Sequence, residues 1–226
     1  MLLSEKMESI SGTSSMLLTG NRASGKTTLA FAYACDIATT GGNPLYICNK
    51  QKIERQPPSK VKSSSSSASS PSMEIFSRIS MKYISSVKEL KMLMAGLHLF
   101  DPKPAAVIIE DLSSILDPLD SISKRDAQFL DLCLVVGSFI SDAISSFRTQ
   151  GSTVPLLITD SCNEHAFFHV MSRVTPSTFF LTSSNTDGSS INLVYKRDFS
   201  SRDPNDIIVL YKSMHWDERD GQLLLP

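Results

Sequence analysis

Nine residues, Gly20-Asn21-Arg22-Ala23-Ser24-Gly25-Lys26-Thr27-Thr28, constrain this chain more than any other stretch. They follow a short apolar run, Met16-Leu17-Leu18-Thr19. They open a segment from Lys26 to Thr39 in which Leu29, Ala32, Tyr33 and Ile37 recur at helical spacing. The pattern GxxxxGK[ST] is met in full by Gly20, Gly25, Lys26 and Thr27, in the strand–turn–helix context it requires. The glycines let successive backbone N–H groups turn toward one anion, and the helix start adds the positive end of its dipole. Lys26 is placed to reach the β- and γ-phosphate oxygens, and Thr27 to turn its hydroxyl to Mg²⁺. The expected ligand is therefore ATP or a related nucleotide with Mg²⁺, cradled by Gly20 to Thr28.

The rest of the pattern predicts an α/β fold. Gly41-Gly42-Asn43-Pro44 stops the first helix, and Pro44 to Cys48 reads as a buried strand, which implies a parallel pair with a right-handed crossover. Ile79 to Ile84 alternates as a short strand, and Ser86 caps a helix over Val87 to Phe100. Ala105 to Ile109 and Val154 to Thr159 are apolar runs suited to central strands. A long helical segment separates them, from about Lys124 to Arg148. A helix near Glu164 to Ser172 precedes three strands, Thr178 to Thr182, Ile191 to Tyr195 and Ile207 to Tyr211. Alternating βα units followed by strands predict one domain over 1–226, with a mostly parallel central sheet and a C-terminal antiparallel extension. Gln56 to Ser72, with Pro57-Pro58 and serines at 63–67, reads as a flexible insertion.

A net charge of −1 excludes a globally positive surface, so any nucleic-acid contact falls to local groups. Two are visible: Lys50, Lys52, Arg55, Lys60 and Lys62, then Lys196, Arg197 and Arg202. Cys35, Cys48, Cys133 and Cys162 lack CxxC spacing, as expected of a reducing compartment. The opening MLLSEKMESI does not read as a signal peptide, and no run reaches about 18 apolar residues, so no membrane contact is expected.

Val107-Ile108-Ile109 leads straight into Glu110-Asp111. An acid at such a strand end holds the Mg²⁺ shell, and Asp111 is the first candidate for it. Glu110 is the candidate acid or base; the plainer alternative is that one of the two only caps the strand. Lys26, Asp111 and Glu110 thus form the candidate catalytic set. The second strand runs out into Cys48-Asn49-Lys50-Gln51 without a carboxylate to activate water, and Glu54 lies slightly further on. Turnover is expected to be slow or absent. Cys162, His165 and His169 fall short of a zinc set, and Phe167 and Phe168 among them favour a partly buried helix.

In order, GNRASGKTT, PLYICNK, VIIEDL, VPLLITDS, FFLTSS, INLVYKRD and IIVLYKSMHWDERDGQLLLP make the chain resemble the RecA-like recombinase core, from Ser14 to Pro226. It is similar to short, divergent recombinase paralogues, above all those that pair with a SWIM-type zinc-domain protein in Shu-like complexes. The resemblance implies a RecA-like P-loop ATPase domain in the nucleus, serving homologous recombination repair. It also implies binding of single-stranded DNA with the SWIM-type partner, and contact with recombinase paralogues or a recombinase filament that it helps to assemble or persist.

Three departures accompany it. Lys50 stands where the family carries its water-polarising acid, Thr159-Asp160-Ser161 where a polar sensor such as glutamine ends the fourth strand, and the following loop is short. The small N-terminal helical domain and the polymerisation motif of full recombinases have no counterpart in the sequence. A nucleotide-responsive adaptor with at most weak, DNA-stimulated ATPase activity is the expectation. Nucleotide on Gly25, Lys26, Thr27 and Asp111 is expected to rigidify the strand ends and change affinity for DNA or partner. Two alternatives stand beside it. A nucleotide or small-molecule kinase would want an arginine-rich lid, yet Ser121 to Phe147 holds only Lys124 and Arg125. A structural partner with a vestigial loop would have no need of the intact Lys26-Thr27 pair.

Overall fold

Apolar residues on the inner strands alternate between two cores, one on each face of a sheet. The computed structural model describes Met7 and residues 14–55, 61–63, 73–116, 127–161, 165–183, 190–196, 207–217 and 222–225. In chain order the elements are β1 (Ser15–Gly20), α1 (Lys26–Thr39), β2 (Pro44–Cys48), α2 (Lys50–Arg55), β3 (Val61–Ser63), α3 (Met73–Ser77), β4 (Ser80–Tyr83) and α4 (Val87–Ala95). A 3-10 turn (Leu97–Leu99), β5 (Ala106–Ile109), α5 (Leu112–Leu116), α6 (Ala127–Thr149) and β6 (Leu156–Asp160) follow. The chain continues with α7 (His165–Met171), β7 (Ser177–Ser183), β8 (Ser190–Lys196), β9 (Ile207–Asp217) and β10 (Gln222–Leu225).

The sheet order is β3-β10-β9-β8-β7-β1-β6-β5-β2-β4. From β4 to β7 every neighbouring pair is parallel. The pairs β7–β8, β8–β9 and β9–β10 are antiparallel, as the sequence predicts for the C-terminal extension. The molecule is thus α/β with a mostly parallel mixed sheet. β1, β2, β5 and β6 are buried at every position, which is why they read as continuous apolar runs rather than alternating ones.

Leu17, Leu45, Ile47, Val107, Ile109, Leu156 and Ile158 face a core closed by residues of α4, α5, α6 and α7. Met16, Leu18, Tyr46, Cys48, Ala106, Ile108 and Leu157 face the other core, closed by Leu29, Ala30, Tyr33, Ala34 and Ala38 of α1. α6 is the one described helix long and apolar enough to cross a membrane. Its Phe129, Cys133, Val136, Ile140, Ile144 and Phe147 form a helical stripe built into the first core.

Several details differ from the sequence reading. The helix capped by Ser86 stops at Ala95, with Gly96 behind it and the 3-10 turn beyond. The Ser86 hydroxyl does accept the Glu89 N–H, at 3.3 Å. β9 runs on to Asp217, well past Tyr211. Within the tract read as a flexible insertion, Val61–Ser63 pairs in parallel with Leu223–Leu225 of β10, so that part belongs to the sheet. Residues 56–60 and 64–72 of the tract lie outside the described residues.

Candidate functional site

The nine-residue loop leaves the carboxyl end of β1, the central place where ligands sit in parallel sheets. Gly25 is left-handed (φ 86) immediately before α1, and Ala23 is left-handed too (φ 60). Alternation of left-handed and right-handed residues turns consecutive N–H groups into one concavity, which suits an anion. For Ala23 that geometry costs on the order of 1 kcal/mol, strain of the kind that gathers at functional sites. Gly20 has no such freedom to spare: a Cβ there would lie 2.6 Å from the Leu181 carbonyl oxygen on β7.

Lys26 begins α1, and only 8% of it is exposed. Its ammonium donates to the Gly20 carbonyl at 2.9 Å, the Asn21 carbonyl at 2.6 Å and the Ser24 hydroxyl at 3.2 Å. Burial pushes its pKa down to about 8; Asp111 opposes the shift and Lys52 adds to it. Beside it, the Thr27 hydroxyl donates to Glu110 Oε1 at 2.5 Å. The carboxylate that meets the loop is therefore Glu110, not Asp111. The pleat of β5 explains this. Ile108 faces α1, so two residues on, Glu110 faces α1 as well, and the Glu110 N–H still bonds to Ile47 O on β2 at 2.8 Å.

Glu110 is 1% exposed, a costly place for a carboxylate unless its oxygens are satisfied. Tyr46, fully buried on β2, donates its hydroxyl to Glu110 Oε2 at 3.0 Å. Burial first, then the Glu110 charge and hydrogen bond, hold the Tyr46 hydroxyl well above its usual pKa, so it remains a donor. Cys48, also buried on β2, is pushed up to about 12 by burial and Glu110. Neither thiolate nor phenolate chemistry is on offer here near neutral pH.

Asp111 sits one residue further on, in the left-handed region (φ 51), with its N–H bonded to Thr159 Oγ1 at 2.9 Å. Its Oδ2 accepts from Ser114 and from the ammonium of Lys52, each at 2.5 Å. The Lys52 ammonium also lies 3.6 Å from Glu110 Oε1. Asp160, fully buried at the end of β6, accepts the N–H of Ser113 at 2.7 Å and its hydroxyl at 3.1 Å, tying β6 to α5. The loop residues 20–28, Lys26, Glu110 and Asp111 thus converge, with Thr159 and Asp160 on the strand between.

Sequence reasoning passed over Tyr46 and Lys52. Tyr46 shares its face of β2 with Cys48 and pairs with Ile108 of β5, a link between strands distant in the chain. In the sequence, Lys52 falls within the basic group read as a local nucleic-acid contact. The usable signal was Asn49, whose side chain accepts the Lys52 N–H at 3.4 Å and starts a short helix beside the acids. Glu54 is an exposed partner of Lys50, 3.8 Å away on α2, not a group over the loop.

Cys162 lies outside the described residues, as do Lys60, Arg197 and Arg202, and His169 is exposed on α7. Among the described residues, no three His, Cys, Asp or Glu side chains gather where they could hold a metal ion. A divalent ion here would need the Thr27 hydroxyl, one carboxylate and oxygens of its own ligand. No protein-family model matches the chain, and no match is found among the curated proteins.

Proposed function

We propose that this protein is an ATP-binding accessory factor of homologous recombination. In this reading it binds single-stranded DNA with a SWIM-type partner and promotes assembly or persistence of a recombinase filament. One observation carries the nucleotide part: a left-handed, glycine-bearing loop at the end of β1 sets Lys26 and Thr27 against a buried carboxylate on a neighbouring part of the sheet. Mg²⁺ characteristically takes one or two carboxylates plus phosphate oxygens, and Thr27 with Glu110 fits that donor chemistry, with Asp111 beside them. Bound there, the ion would supply charge neutralisation to the β- and γ-phosphates. The RecA-like part draws support from β6, which lies between the loop strand and the acid strand; its Thr159-Asp160 end remains a departure from the sensor the resemblance expects.

The DNA and partner parts rest on the resemblance, together with exposed Lys50 and Arg55 on α2. Lys52, turned inward to the acids, does not join them. No carboxylate from α2 reaches the loop in place of a water-activating acid, which favours binding over turnover. The same observation supports the second reading, a structural partner whose loop does no chemistry. Anisotropy of a labelled oligo(dT), titrated with the full chain and its SWIM-type partner with and without ATP, separates them. Nucleotide-dependent binding is expected. Absence of DNA binding under both conditions would remove the recombination reading, and an unaltered partner interaction in Lys26→Ala would favour the structural one.

A further inference from the structure

The Lys52 ammonium stands where positive charge is needed at this site. It lies 2.5 Å from Asp111 Oδ2 and 3.6 Å from Glu110 Oε1, the same oxygen that accepts the Thr27 hydroxyl. Two anchors hold it there. The Asn49 side chain accepts its backbone N–H, fixing the first turn of α2, and the bond from Glu110 N–H to Ile47 O locks the end of β5 beside β2. The side chain keeps 30% of its surface, so it is not sealed away from a ligand.

We propose that Lys52 is an internal counter-ion that stands in for part of the divalent cation's charge, so that this loop takes a nucleoside triphosphate with little dependence on free Mg²⁺. The inference rests on the nucleotide reading above and deepens it. The charges felt at the site are Lys26 and Lys52 against Glu110, Asp111 and buried Asp160, a net of −1; remove Lys52 and −2 faces the incoming phosphates. Lys52 is close enough for its charge to be felt at Lys26, whose pKa it depresses. Lys52 and a divalent cation are also rivals for Glu110 Oε1, because two positive charges on one oxygen repel.

The test is titration of the full chain with mant-ATP, in EDTA and in excess Mg²⁺, for wild type, Lys52→Ala and Lys52→Arg, each checked for folding by circular dichroism. Wild-type affinity is expected to change by less than about threefold between the two conditions. Lys52→Ala should bind about tenfold or more weakly in EDTA and recover in Mg²⁺, while Lys52→Arg, which keeps the charge, behaves as wild type. If wild type needs Mg²⁺ as much as Lys52→Ala does, or if Lys52→Arg behaves as the alanine variant, the counter-ion role is overturned while nucleotide binding stands. If wild type binds mant-ATP in neither condition, the nucleotide reading fails and this inference falls with it.

Discussion

Lys26 is the residue at which burial and function pull in opposite directions. Its ammonium is held by Gly20, Asn21 and Ser24, yet desolvation lowers its pKa to about 8 from 10.5. Between those two values the unfolded chain keeps the proton and the folded chain has released it. The unfolded state then binds more protons, so the Lys26 contribution to stability rises with pH across pH 8 to 10.5. Ligand affinity moves the other way, because a phosphate needs the charged form. Mant-ATP affinity is expected to fall above pH 8, by up to about tenfold per pH unit. Lys26→Arg, whose guanidinium stays charged, should flatten that fall. Parallel pH profiles in the two proteins would show that another group is titrating.

The elements around the loop tolerate little extra volume, and Gly20 is where this is sharpest. It closes β1 at φ 151, and its Cα faces the Leu181 carbonyl of β7 across a parallel pair. Gly20→Ala must push β7 aside or deform the loop. It is expected to lower stability by about 1–3 kcal/mol in urea unfolding and to weaken nucleotide binding further than that loss alone predicts. Unfolding within about 0.5 kcal/mol of wild type would mean that β7 yields freely.

α1 and β2 have the bounds the sequence predicts, because Gly25 precedes α1 and the Gly41-Gly42-Asn43-Pro44 turn both ends it and opens β2. β1, β5 and β6 were legible as apolar runs for the physical reason that both their faces are buried. α2, α3 and α5 were not, since five or six residues hold less than two turns of periodicity. The three-residue β3 was hidden for a different reason: its pairing partner lies at the far end of the chain. The loop residues could be named from sequence alone. Choosing between Glu110 and Asp111 required carrying the pleat of β5 past its last apolar residue, and finding Lys52 required knowing that β2 lies beside β5.

At the scale of the whole molecule, the site gathers the carboxyl ends of β1, β5 and β6 with the first turn of α1 and with α2. These segments are far apart in the chain and come together only when the parallel half of the sheet is assembled. The unfolded chain therefore has no comparable site, and any ligand bound here stabilises the fold as a unit. At a hundred times its dissociation constant, a ligand of the native state alone contributes about 2.7 kcal/mol. For a domain of this length each kcal/mol raises Tm by roughly 2–4 °C, so saturating ATP should raise it by about 5–10 °C in differential scanning fluorimetry. Lys26→Ala should lose most of that shift, and inorganic phosphate at the same concentration should not reproduce it, because it cannot span the loop and the acids together. A wild-type shift no larger than that of Lys26→Ala would mean that the left-handed loop and its buried carboxylate serve packing alone.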